Sequence, residues 1–356
     1  MLAIPAPSRC VDEATYPLRI LILRLKITPL HTLRLPAENK GNTLRGAFGS
    51  AFRRLVCISQ CQCASRCPLD ETCPYKVIFE PSPPSGKGRL TGNQDAPRPF
   101  VFRPPITTKT SYLPGEEFEF GLRLFGMAVD YLPYFVLAFR KIMTEGFGLN
   151  RAPCQLEDVR AVTQRSAPIG VPHEVPVYSS QDELFRMPGS FALSEWVQDR
   201  FGQLSGVESV TTDGHRAEPE RRKIKIRFLT PTSLKFEERA VREPEFHHLF
   251  KRVRDRLNAL CTFYGAGSID TDFRQIGKRS EQIRTVNLDL SWVERSRRSS
   301  KTHQRHELSG FIGDCVYEGD VAEFLPWLAA GEIVSVGRHT AWGNGLYELR
   351  QQRSDA

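Results

Sequence analysis

Three short stretches hold the residues best equipped for chemistry. The first, CISQCQCASRCPLDETCPY (57–75), carries five of the chain's nine cysteines. Thiolates are the usual ligands of tetrahedral structural zinc. Cys57, Cys63, Cys67 and Cys73 make one set of four, with Cys61 to spare. An iron–sulfur cluster also takes four cysteines and stays open as the occupant. Either metal would be structural, stapling an insertion too small for a core of its own. The alternative is a cysteine-rich loop without metal. Cys10, Cys154, Cys261 and Cys315 are scattered and read as ordinary buried thiols.

The second stretch, RSRRSSKTHQRHE (295–307), sets His303 and His306 among Arg295, Arg297, Arg298, Lys301 and Arg305, with Glu307 its only carboxylate. Imidazoles beside fixed cations suit phosphate chemistry, because histidine titrates near neutrality. A solvated hairpin between two strands is the plainer reading of such a charge run. The third, VGRHTAWGNGLYELR (336–350), combines Gly337, Gly343 and Gly345 with Arg338, His339 and Trp342. Glycine lets a backbone approach a phosphate closely. The two basic residues add charge, and the indole can stack on a base or pack beneath the loop. No Gly-Lys-Ser/Thr follows, so this is not a Walker loop. It does not follow the first strand or open a helix, so it is not a dinucleotide fingerprint. A structural hairpin is the alternative.

Composition limits what these stretches can serve. The chain is 40% hydrophobic and 25% charged, as in ordinary globular proteins, and long enough for two domains. No apolar run reaches the roughly 20 residues of a membrane span. The start, MLAIPAPSRCVDEATYP, lacks the basic and apolar regions of a secretory signal, so a cytoplasmic location is expected. A formal net charge of +8 favours an acidic partner, nucleic acid being the common one.

The elements that must position the three stretches repeat one order. YPLRILILRLKITPL (16–30) alternates as a strand does. NTLRGAFGSAFRRLVC (42–57) spaces Leu44, Phe48, Phe52 and Leu55 as a helix does, with Asn42 or Thr43 as its cap. FVFRPP and EEFEFGLRLFG read as strands, MAVDYLPYFVLAFRKIMTEG (127–146) as a helix and CQLEDVRAVTQ (154–164) as a strand. PSPPSGKGRLTGNQDAPRP (81–99) reads as a loop, and 165–220 as a linker with some local structure. The second half repeats the series: a strand in RKIKIRFLTPTSLKF (222–236), a helix at 245–265, strands at 283–294 and 306–319, a short helix at 320–332, then IVSVG and GLYELR closing the sheet. The chain is thus expected to be an α+β protein of two tandem ferredoxin-like (βαββαβ, RRM-like) domains, with a Cys-rich insertion in the first. The boundaries are 15–165 with the insertion at 57–75, a linker at 166–220, and 221–352 with the glycine-rich loop at 336–346.

GNTLRGAFGSAFRRLVC, CPLDETCPYKVIFE, LRLFGMAVDYLPYF, IRFLTPTSLKF, LSGFIGDCVYEG and VGRHTAWGNGLYEL, in that order, resemble the CRISPR-associated precursor-crRNA processing endoribonucleases of the RAMP superfamily. The resemblance covers most of 17–350, and its more specific parts are the Leu-Arg-Gly helix start and the paired Cys-Pro segments. It implies binding of a CRISPR repeat RNA across a basic surface and cleavage without metal. A ribose 2′-OH attacks the adjacent phosphate, leaving a 2′,3′-cyclic phosphate and a guide RNA for an interference complex.

Such cleavage needs a base for the 2′-OH, cations for the pentacovalent phosphate and a proton for the leaving oxygen. The candidates are His303 and His306, with Lys301 beside them, and His31 between the first strand and helix, a region from which many family members draw their base. The expected RNA contacts are Arg45, Arg297, Arg298, Gly337, Arg338, His339, Trp342, Gly343 and Gly345. Arg45 opens a helix, where the dipole disfavours a cation, so an anion or a carboxylate is its expected partner. His247 and His248, on an amphipathic helix, read as structural. The expected partners are repeat RNA or crRNA and subunits of a CRISPR effector complex. The alternative function is a non-catalytic RNA-binding subunit of such a complex; a metal-binding scaffold with no RNA role is the third.

Overall fold

The computed structural model describes residues 16–58, 73–81, 96–164, 173–205, 222–298 and 305–351. In the N-terminal half, β1 (Arg19–Pro29) is followed by the short β2 (Leu33–Arg34), then α1 (Lys40–Val56) and α2 (Pro74–Ile78). Next come β3 (Phe100–Arg103), β4 (Ser111–Tyr112), β5 (Phe118–Phe125), α3 (Leu132–Glu145) and β6 (Cys154–Gln164). The main sheet is antiparallel and runs β3-β5-β1-β6, extended by β7 (His173–Ser179) at its edge. Residues 21, 23, 25 and 27 of β1 are buried, as a period of two predicts, and they meet Leu44, Phe48 and Phe52 of α1 and Phe135 and Phe139 of α3. The other face of β1 carries Arg24 and Lys26, paired with carboxylates of β5 and its neighbours.

After β8 (Phe191–Ala192) and α4 (Leu193–Ser205), the C-terminal half begins with β9 (Arg222–Thr232), the β10 (Leu234–Phe236) and β11 (Arg239–Val241) ribbon, α5 (Phe246–Tyr264) and α6 (Phe273–Ser280). It continues with β12 (Arg284–Val293), β13 (Ser296–Arg298), β14 (Arg305–Glu307), β15 (Gly310–Gly319), α7 (Leu325–Val334) and β16 (Tyr347–Gln351). Its antiparallel sheet runs β12-β15-β9-β16, and α5 and α7 cover one face with Leu249, Phe250, Val253, Leu328 and Ile333.

The two halves share packing. Tyr16, Leu18, Ile20, Val101 and Phe125 of the first half enter the core of the second. Three sequence expectations change in detail. α1 starts at Lys40 behind Asn39, whose backbone is left-handed (φ 62°), not at Asn42 or Thr43. Part of the expected linker is integral: β7 widens the first sheet, β8 pairs with the start of β1, and α4 buries Leu193 and Val197 against the second core. The segment IVSVG adds no strand, because α7 runs on to Val334 and Ser335 turns the chain with φ 63°. No helix among the described residues is long and apolar enough to cross a membrane.

Candidate nucleic-acid interface

The glycine-rich loop leaves α7, crosses to the N-terminal half and returns as β16. Its neck closes where the Val336 N–H donates to the Gly345 carbonyl (3.0 Å), and the Gly345 N–H donates to Pro231 (3.1 Å). Gly345 has φ +72°, and a Cβ there would sit 1.8 Å from the Val336 oxygen. Gly41, in the first turn of α1, leaves room for the Trp342 carbonyl, which would lie 2.1 Å from a Cβ. Gly343 packs on Pro104 and Phe102, and Gly337 on the Ser233 carbonyl. The glycines therefore serve close approach of the protein to itself. What the loop presents outward is side chains.

Those side chains converge on one ring. His339, held at φ 62°, stacks parallel to Trp342 (4.6 Å between centroids, 7° between planes). The Arg297 guanidinium of β13 lies 4.7 Å from the Trp342 centroid, and that of Arg45 in α1 lies 5.1 Å away. Such placements are attractive because the cation meets the negative face of the π-system. Arg45 also lies 4.3 Å from the Phe79 centroid. Arg297 donates from Nη1 to Asn42 Oδ1 (2.8 Å), tying the β13–β14 ribbon to α1. The indole thus packs beneath its loop and organises cations from both halves. A nucleobase would have to displace one of them to stack there.

The electrostatics favour an anion. Burial, then the charges of Arg98 and Arg297, push the Arg45 guanidinium down to about 9, which still leaves it charged at neutral pH. Its Nε has no hydrogen-bond acceptor among the described residues. Burial also lowers Arg297. Among the described residues no carboxylate forms an ion pair with either guanidinium, although Glu80 acts on Arg45 from a distance. Cations gathered with no ion-paired carboxylate among the described residues suit phosphate, which planar guanidinium recognises well.

A cavity of about 570 Å³ opens beside Trp342, between α1, the 104–108 segment and β9. It is lined by Lys40 and Arg295, among others. Lys40 is 3% exposed and donates to the Ala37 and Thr107 carbonyls (2.9 and 2.6 Å). Its pKa is lowered by burial and then by Arg295. Sequence reading missed Lys40, because a lysine before a helix looks like any solvated one. Arg295 is engaged by Glu38 (2.8 Å).

The other candidates lie as follows. The β13–β14 register places His306 directly across from Arg297, and Arg298 across from Arg305. His303 and Lys301 lie outside the described residues. His31 is exposed in the turn after β1, and Arg338 is exposed on the loop. Cys57 follows α1, and Cys73, 2% exposed, precedes α2. Cys63 and Cys67 lie outside the described residues, among which no group of three or more His, Cys, Asp or Glu could hold a metal.

Residues 226–347 match the sequence model of the CRISPR-associated endoribonuclease Cas6, and residues 18–189 match a model described as an N-terminal domain. No curated protein gave a significant match. Among solved structures, a partial Cas6-RT-Cas1–Cas2 complex superposes with a TM-score of 0.57 at 13% identity over 97% of this chain and 48% of that one. A Cas6-RT-Cas1–Cas2 complex gives the same score and identity over 30% of its chain. This chain thus spans about half the length of the first and less of the second. A Cas6 product complex gives 0.51 at 15% identity over 93% of this chain and 100% of that one. At such identities the likeness is one of fold.

Proposed function

We propose that the chain, whose residues 226–347 match the Cas6 model, is a CRISPR-associated precursor-crRNA processing endoribonuclease and cleaves CRISPR repeat RNA without a metal, by 2′-OH attack. The observation that carries this reading is the convergence of Arg45, Arg297 and His339 on Trp342, with His306 across from Arg297. Arg45 and Arg297 stabilise the charge that grows on the pentacovalent phosphate. His306, in register with Arg297 on the β13–β14 ribbon, takes the 2′-OH proton. The O2′–P bond then forms and the P–O5′ bond breaks as the leaving oxygen takes a proton from solvent, giving a 2′,3′-cyclic phosphate and a 5′-OH. His31, exposed in the turn after β1, is the second choice of base, with His303 and Lys301 contributing from the adjoining segment.

Each half is read as a ferredoxin-like unit, supported by strand orders β3-β5-β1-β6 and β12-β15-β9-β16 with two helices on one face. A structural zinc held by Cys57, Cys63, Cys67 and Cys73 stays part of the proposal, because Cys57 and Cys73 bracket the segment at two helix ends. The RNA partner is repeat RNA or its crRNA product, and the protein partners are subunits of the CRISPR machinery.

The test is incubation of the purified protein, in EDTA, with the repeat RNA of its CRISPR array, beside a substrate with a 2′-deoxy sugar at the cleavage position. Cleavage of the first and survival of the second is expected. Tight binding without cleavage would move the assignment to a non-catalytic RNA-binding subunit. Absence of any salt-dependent RNA affinity would remove the RNA role altogether.

A further inference from the structure

The RNA site just described draws on both halves of the chain, so something must set the loop against α1. The two roots of the glycine loop are held by buried and half-buried groups that the cleavage chemistry leaves unused. Glu332, at the end of α7, is 7% exposed. It accepts from Arg200 of α4 through both oxygens (2.8 and 3.0 Å), and from the Leu349 N–H of β16 (2.7 Å). Arg200 also donates to the Leu349 carbonyl (2.7 Å). One ion pair thus joins the strand entering the C-terminus to the helix leaving for the loop. Arg123 of β5, 5% exposed, donates to the Glu332 and Ile333 carbonyls, the latter at 2.9 Å. Arg256 of α5 donates to Val334 (2.7 Å). These carbonyls are the unsatisfied end of α7, where cations are favoured.

We propose that Arg123, Arg200 and Glu332 are positioning residues for RNA recognition: they clasp both roots of the 336–346 loop to the N-terminal half and α4, and so deliver Trp342 to Arg45. The inference rests on the RNA-binding reading above. Arg123 comes from the sheet that α1 covers, and Arg200 from the segment between the halves. A shift of either root moves Trp342, and with it the ring that holds Arg45 and Arg297. Two of the three hydrogen bonds that Glu332 accepts come from the Arg200 fork, which lysine cannot reproduce because an ammonium lacks the planar two-point geometry of guanidinium.

The test uses R200K and E332Q in the full chain, with R279K as control, since Arg279 makes a comparable two-point pair with Glu323 on the surface. Two readouts are taken at a temperature where each variant stays folded by far-UV circular dichroism. One is repeat-RNA affinity. The other is acrylamide quenching of Trp342, as the difference between each protein and its W342F counterpart. R200K and E332Q should each weaken RNA binding about tenfold or more and expose Trp342 to quencher, while R279K changes neither. A purely structural role would lower the melting temperature and leave both readouts at the wild-type value, which overturns the proposal. Failure of both variants to fold would assign these residues to folding alone and overturn it too. If the wild-type protein binds no RNA, the RNA reading fails, and the quenching data still decide whether the clasp positions Trp342.

Discussion

Trp342→Ala removes the ring on which the cations converge, without removing a charge. The Arg297 and Arg45 guanidiniums lie 4.7 and 5.1 Å from its centroid. Each such contact is worth about 0.5–1 kcal/mol when exposed and about 2 when desolvated. Trp342 is half-buried, so the two together organise the site by about 1–3 kcal/mol. If that organisation is used in binding, RNA affinity falls by about 5- to 150-fold, at 1.4 kcal/mol per decade. The assay is fluorescence anisotropy of labelled repeat RNA across a salt series. Both arginines remain, so the variant's salt dependence should stay near that of wild type while the whole curve shifts to weaker binding. Arg297→Met should do the converse: it removes one phosphate contact and lowers the magnitude of the salt slope by about 0.7–0.9. Trp342→Phe keeps a smaller ring and controls for lost packing. Wild-type affinity for Trp342→Ala at every salt concentration would mean that the cations reach RNA without the indole platform, and would rule out this role for Trp342.

Other outcomes follow from the same geometry. His306→Ala should lower the single-turnover cleavage rate by about 10²–10⁴-fold with RNA affinity nearly unchanged; a rate like that of wild type would move the base to His31 or His303. Gly345→Ala places a Cβ 1.8 Å from the Val336 oxygen at φ +72°, and should cost about 1–3 kcal/mol in a urea melt. Asp314 lies on β15 between Arg227 and Lys225 (2.6 and 2.8 Å). The hydrogen bond from Arg227 holds its carboxyl well below the usual range, helped by Lys225 and opposed by burial. Its folded pKa is below the unfolded value near 4, so its contribution is complete above about pH 4 and is lost as pH falls further. Asp314→Asn should therefore be less stable than wild type at pH 7, with the difference shrinking toward pH 2–3.

Much of the scaffold could be read from pattern alone. Alternating Leu and Ile along β1, and Leu44, Phe48 and Phe52 on α1, show their buried faces because burial on one side imposes a period. The helix cap was not readable, since Asn39 caps through a left-handed backbone with no side-chain hydrogen bond. Nor were β7, β8 and α4: their pairing with β6, β1 and α7 is long-range, and short polar segments carry little periodicity. The site was half legible. Residue type and local charge singled out Arg45, Arg297, His339 and Trp342, but nothing in their spacing says that one indole meets both guanidiniums across 45 and 297. The glycines of the loop signal conformational freedom in the sequence, and the structure uses that freedom against Gly41, Pro104 and Val336. Arg123, Arg200 and Glu332 gave no sequence signal, because buried and half-buried charges look like surface charges until their partners are known.

The proposed function places RNA on the junction where α1, the β13–β14 ribbon and the glycine-rich loop meet. The most direct measurement is zero-length ultraviolet cross-linking of the repeat RNA to the intact protein, with the modified residues identified by mass spectrometry. Adducts concentrated at 295–307 and 338–342, and competed away by unlabelled repeat RNA, are predicted. Adducts confined to other surfaces, with none at these two segments, would overturn the proposed interface.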